Sequence, residues 1–230
     1  APRSARRARA GPRLRVGGGI CYKPEMENGN ASRTPPLIPA LAERHSPKAF
    51  SPRAVHPALL ASLFEAVRWA PSCYNDQPWR LIVTERAAND GAHARLLACL
   101  NERNRLWAST APVLMLSAVA TCYRHSGQAN PFAQHDLGLA VGALLAQATA
   151  HDIVAHQMGG FDREMARTAF GLPAGTEPVA AIALGFRGDA AALPAGVKER
   201  SPEARERLAR EHIVFAGRFG TPWSEGADAS

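Results

Sequence analysis

Two short segments of this 230-residue chain carry residue types that can do chemistry at useful spacing. Arg44-His45-Ser46-Pro47-Lys48 sets two permanent cations four residues apart around a hydroxyl and an imidazole. Such a group supplies charge-assisted donors for a phosphate, although a solvated basic turn presents the same residues. Ala70-Pro71-Ser72-Cys73-Tyr74-Asn75-Asp76-Gln77-Pro78-Trp79 is more specific. It packs a helix stop, small residues, two side-chain amides and a Pro-Trp step into the connection between a predicted helix and a predicted strand, where binding loops concentrate.

Other chemistries find less support. Cys73 with His45 or His135 forms no recognisable thiol-nucleophile context and reads as a small packed residue. His151, Asp152 and His156 lack metal-ligand spacing, so no metal site is expected. No strand is followed by GxGxxG, and Gly17, Gly18 and Gly19 lack the Lys and Ser/Thr of a phosphate-binding loop.

The elements that must position these residues follow from periodicity. Leu59, Leu60, Leu63, Phe64 and Val67 fall at helical spacing over 57–70, with Pro57 suited to a first turn and Pro71 as the stop. Buried strands are predicted at 79–84, 113–120 and 178–186. A helix over 91–106 is expected behind Asn89-Asp90, and one over 163–170 behind Asp162. Asp136 opens a helix to about 150 that is apolar all round, predicting a central buried position. A charged helix is expected over 201–210, then an extended arm over 212–223 laid on a partner. Alternating helices and strands predict an α+β or three-layer architecture around one sheet.

Charge argues against polyanion binding by the folded body. The chain has 27 Lys+Arg against 20 Asp+Glu, net +7. Arg3, Arg6, Arg7, Arg9, Arg13, Arg15 and Lys23 lie in the first 24 residues without an acid, which leaves 20 bases against 20 acids elsewhere. Neither a nucleic-acid nor a membrane partner is expected. Residues 1–40 read as a flexible Arg/Gly/Pro-rich leader, 41–223 as the working domain and 224–230 as a disordered tail. The residues before Met26 read as non-native, processed or upstream-translated sequence. No apolar run reaches the length of a bilayer-spanning helix. The four cysteines, Cys21, Cys73, Cys99 and Cys122, form neither a disulfide framework nor a zinc pattern, so a cytoplasmic location is expected.

Further segments join the first two. Asn104-Arg105-Leu106-Trp107-Ala108 leads into Ala111-Pro112-Val113-Leu114; Asp136-Leu137-Gly138 opens the apolar helix; Gly159-Gly160-Phe161-Asp162 precedes a helix; and Arg205-Glu206-Arg207 lies near the end. Together with the two opening segments, this order resembles the nitroreductase family of FMN-dependent oxidoreductases from about 41 to 223. His45 stands where a second Arg is common, Lys48 where Arg is usual and Cys73 where a second Ser is frequent.

The resemblance implies a three-layer α/β/α fold with a central mixed or antiparallel sheet in an intertwined homodimer, with FMN at the subunit interface. Arg44, His45, Ser46, Lys48, Arg205 and Arg207 are then expected around the FMN phosphate and ribityl chain. Pro71, Ser72, Cys73 and Asn75 would reach the flavin from the other subunit. Asn104, with Asn101 as the other candidate, would meet the pyrimidine edge, and the Gly159 and Gly160 backbone would lie near N5. Tyr123 and Phe132, in the irregular stretch 121–133, are expected to cap the flavin face or simply to pack a surface loop. Trp79 and Trp107 are expected as core anchors.

The implied activity is hydride transfer from NADPH or NADH through flavin N5 to an electron-poor acceptor, a nitroaromatic or quinone, by a ping-pong mechanism. The flavin carries the electrons, so no side-chain catalytic residue is required. The alternative is a flavin-storing or flavin-transforming protein with little nicotinamide turnover.

Overall fold

The computed structural model describes residues 37–199, 201 and 205–224, together with the strand backbones β1 (Arg13–Val16), β2 (Gly19–Tyr22) and β3 (Met26–Glu27). The remainder of the expected leader and all but the first residue of the expected tail lie outside the described residues. The chain divides into two units, Leu37–Arg200 and a second built from Ala1–Pro36 with Ser201–Ser230.

The larger unit runs α1 (Pro39–Ala42), α2 (Pro57–Arg68), β4 (Trp79–Glu85), α3 (Ala92–Cys99), α4 (Glu102–Ala108), β5 (Val113–Ala120), α5 (Ala133–Ala150), β6 (Ile153–Met158), α6 (Arg163–Ala169) and β7 (Thr176–Phe186). Four strands form one fully antiparallel sheet in the order β4-β5-β7-β6.

Side-chain alternation makes this sheet the middle of three layers. Val113, Met115 and Val119 of β5, with Ile182 and Leu184 of β7, enter a core shared with Leu60, Leu63 and Val67 of α2 and Leu137, Val141 and Leu144 of α5. Leu114 and Leu116 of β5, with Ala181 and Ala183 of β7, face the opposite way. They pack with Leu96 of α3, Trp107 of α4 and Ala166 of α6. Covered on both faces, β5 reads as a continuous apolar run, and its one buried hydroxyl, Ser117 Oγ, donates to Ala180 O at 2.9 Å. Trp79 and Trp107 are core residues, as expected.

Several expectations are corrected. The helix expected over 91–106 is two, because Leu100 is extended and bridges Phe161, while Asn101 Oδ1 accepts from Asn104 N at 2.9 Å and caps α4. Sequence pattern also misses β6. It is an edge strand whose His156 and Gln157 break the apolar run. Helix α5 begins at Ala133, one turn before Asp136, and is buried along one face only: Gly138, Leu139 and Gly142 are exposed.

In the smaller unit β1 pairs antiparallel with β2, and β3 pairs antiparallel with β8 (Arg207–Leu208). Arg207 is therefore in a strand, where a helix over 201–210 was expected; 202–204 lie outside the described residues. The stretch 212–223 is not an extended arm. It folds back on itself, with Ala216 N donating to Thr221 O at 2.8 Å and Trp223 N to Val214 O at 3.0 Å. No helix among the described residues is long and apolar enough to cross a membrane.

Candidate functional site

The tightest convergence of the expected residues lies where the α3–α4 junction meets the turn after β6. Because the helix breaks at Asn101, that residue's N–H reaches Gly160 O at 3.0 Å, and Asn104 Nδ2 donates to the same carbonyl at 3.1 Å. Asp162 N closes the arrangement on Cys99 O at 2.8 Å, while its carboxylate caps α6 through Met165 N. Gly160 suits this approach. A Cβ there would meet the Asn101 amide and lie 2.9 Å from Asn104 Nδ2.

Lys48, Asn101, Asn104, Trp107, Gly160 and Val197 line a cleft of about 340 Å³ over this junction. Lys48 is held at both ends. Its Nζ donates to Lys198 O at 3.0 Å, and its backbone N–H and that of Ala49 donate to Glu199 Oε2 at 2.7 and 2.9 Å. Beneath lies His156, whose ring is 4.5 Å from Trp107 and whose Nδ1 bonds Pro47 O at 2.9 Å, so Nδ1 carries the proton. Burial pushes His156 below the usual imidazole value, against the opposing pull of the Pro47 carbonyl.

Arg44 and His45 do not line that cleft; with Arg187, Asp152 and Leu145 they line a neighbouring cavity of about 220 Å³. Arg44 Nη1 donates to Ser46 Oγ at 3.3 Å, and His45 Nδ1 lies 3.1 Å from Glu43 O. Arg205 and Arg207 belong to the smaller unit, Arg207 in β8.

Pro71, Ser72, Cys73 and Asn75 contribute nothing to the lining of the Lys48–Gly160 cleft within one chain. Ser72, Cys73 and Asn75 instead knit a loop with Tyr123. Ser72 Oγ accepts from Gln77 N at 3.0 Å, and Gln77 Nε2 donates to Asn75 O and Oδ1, both at 3.1 Å. Cys73 Sγ lies 3.5 Å from Tyr123 OH, and that contact leads in pushing the phenol up to about 12. Tyr74, 78% exposed, Tyr123 and His125 form a ring cluster with centroids 5.3 to 5.8 Å apart. Phe132 is exposed beside the start of α5, its N–H on Asn130 Oδ1 at 3.0 Å. The thiol reading fails geometrically: Cys73 bonds a tyrosine, His135 bonds Asp136 and His45 bonds a backbone carbonyl.

Periodicity and residue type gave four residues other roles than the structure does. Asn101 looks like a helix-interior residue until the break is known. Glu199 and the pair Asp76 and Asp136 read as surface acids, yet Asp76 and Asp136 are only 2% and 1% exposed.

Comparisons with known proteins agree with this architecture. An uncharacterized 15.4 kDa protein of Mycolicibacterium smegmatis is 37% identical over 148 residues, 62% of this chain and 99% of that one. A crystal structure described as an oxidoreductase containing FMN superposes with a TM-score of 0.73 at 27% identity, covering 85% of this chain and 98% of that one. A nitroreductase family protein from Clostridium difficile 630 shares the fold at 20% identity, with a TM-score of 0.56 over 73% of this chain and 89% of that one. The family model for the nitroreductase family matches residues 41–186, and the chain belongs to that family.

Proposed function

We propose that this chain is an FMN-dependent oxidoreductase that passes reducing equivalents from NADPH or NADH to an electron-poor acceptor. The observation that carries the reading is the cleft at Gly160, lined by Lys48, Arg103 and the Asn101 and Asn104 amides, which close on the glycine Cα. That donor set suits a flat heterocycle that gains negative charge on reduction. The FMN-containing structural relative supports the same cofactor.

In this reading Lys48 and the Asn101 and Asn104 amides would hold the polar part of the flavin, with the Gly159–Gly160 backbone beside it. Arg44 and Ser46 would serve its phosphate and ribityl chain. FMN, held there, would supply two-electron chemistry between the nicotinamide and a nitroaromatic or quinone acceptor. The chain's residues bind and orient; none is asked to act as nucleophile or general base, and solvent provides the acceptor's proton.

The Ser72–Asn75 cluster then serves the site of a second copy in a homodimer. Exposed Gly138 and Gly142 on α5, small enough for close approach of another backbone, with the exposed apolar Leu139 between them, support that assembly. Fluorescence titration of FMN with the purified chain tests the reading. A stoichiometric yellow dimer is expected, with binding weakened in Lys48→Ala; a colourless monomer that cannot be reconstituted contradicts it.

A further inference from the structure

Two carboxylates outside the proposed cofactor contacts are almost completely buried beside the 71–77 loop, and each is spent on a backbone N–H of a loop. Asp136, in the first turn of α5, accepts from Cys73 N at 3.0 Å through Oδ2, while Oδ1 lies 3.1 Å from His135 Nδ1. Asp76, within the loop itself, accepts from Arg124 N at 2.8 Å through Oδ1. Arg124 returns two bonds, Nε to Asp76 O at 3.0 Å and Nη2 to Asn75 O at 3.3 Å. Asp76 Oδ2 is buried without a hydrogen-bond partner among the described residues.

Burying an acid is costly, and more so with an oxygen unpartnered; Asp76 has an ion-pair partner in Arg124, Nε at 3.9 Å from Oδ1, and both acids satisfy backbone N–H groups that an apolar side chain would leave unpaired. What the acids hold is itself strained. Tyr74, Asn75 and Gln77 have φ of 54°, 53° and 52°, the left-handed region that non-glycine residues rarely adopt, and Tyr74 recovers little burial in return. The same clamp ties in the 121–130 segment, because Arg124 follows Tyr123, whose hydroxyl touches Cys73 Sγ.

We propose that Asp76 and Asp136 are positioning residues that fix the strained Ser72–Asn75 loop in its cofactor-binding shape and couple it to the Tyr123 loop, so that the two loops order and loosen as one. The cofactor half of this statement rests on the flavin reading above; the coupling half does not.

The test uses the full chain with Asp76→Ala, Asp136→Ala, Asp76→Asn and Asp136→Asn. Amide hydrogen exchange is followed in the absence of FMN, and FMN affinity is followed by fluorescence. Either Ala variant should speed exchange in both 72–77 and 121–130 by about 10-fold or more, leave β5 protected, and weaken FMN by about 10-fold or more. The Asn variants, which keep an acceptor oxygen of the same reach, should stay within roughly threefold of the parent on both readouts. Should one Ala variant fail to fold, the other must still loosen both loops. Loosening of one loop alone, or Asn variants as impaired as Ala, overturns the proposal, as does FMN affinity unchanged in the Ala variants. Coupled loosening in a parent chain that binds no FMN would uphold the coupling and defeat the flavin reading instead.

Discussion

Strand β5 and the 71–77 loop solve opposite problems with the same amino-acid alphabet. Along β5 seven consecutive residues are buried, the backbone is extended, and its one buried hydroxyl is satisfied inside the sheet. The loop holds three non-glycine residues at positive φ, exposes a tyrosine ring and buries the acid Asp76. The strand maximises apolar burial, which stabilises any fold; the loop gives up stability to keep particular amides and N–H groups in place. Cost of that kind concentrates where a protein binds something, and the Gly160 cleft shows it too, in the close approach of the Asn101 and Asn104 side-chain amides to Gly160.

If the comparison holds, core and site substitutions move different observables. Leu116→Ala empties a fully buried position between β5 and the α3/α4/α6 layer, and should destabilise by about 2–5 kcal/mol in urea unfolding while FMN affinity of the folded fraction stays unchanged. Lys48→Ala should do the reverse. One lost charge-assisted contact of about 1.5–3 kcal/mol raises the FMN dissociation constant about 10- to 150-fold with a small change in unfolding midpoint. Gly160→Ala sits between the two. Its methyl must displace the Asn101 and Asn104 amides, so about 1–3 kcal/mol of strain should appear together with weaker FMN binding, and restored affinity in Gly160→Ala/Asn101→Gly would locate the clash.

A smaller effect is expected from pH. His93 and His156 both have pKa values lowered chiefly by burial from the usual 6.5, so the unfolded chain takes up protons that the folded chain resists. Their contribution is complete above 6.5 and is lost as pH falls from there through the lowered folded values. Urea midpoints should therefore drop between about pH 7.5 and about pH 5, and His156→Gln should blunt part of that drop. Smallest of all, Glu65→Ala removes an exposed i,i+3 ion pair with Arg68 at 2.9 Å and should leave both stability and cofactor binding indistinguishable from the parent.

The same contrast explains what could be read from sequence. Strands β5 and β7 are legible because burial on the sheet faces writes a continuous apolar run, β4 because it is rich in β-branched and aromatic residues, and α2 because one face is buried at helical spacing. Edge strand β6 is not, since His156 and Gln157 interrupt its pattern. The break at Leu100–Asn101 is equally hidden: a capping asparagine in mid-helix announces itself only once its partner amide is seen. At the site, the residue types of 44–48, 71–75 and 159–160 stand out, because amides, cations and glycines cluster in connections. The burial of Asp76 and Asp136 does not, because an acid in a loop or at a helix start is ordinarily solvated, and only three-dimensional packing shows that these two are buried.

Rapid mixing of the FMN-loaded chain with NADPH or NADH under anaerobic conditions tests the central claim most directly. The account predicts that the oxidised flavin absorption bleaches within the first turnovers and returns on addition of a nitroaromatic or quinone. A stoichiometric flavin complex that neither nicotinamide bleaches would contradict it and leave a flavin-storing or flavin-transforming role in its place.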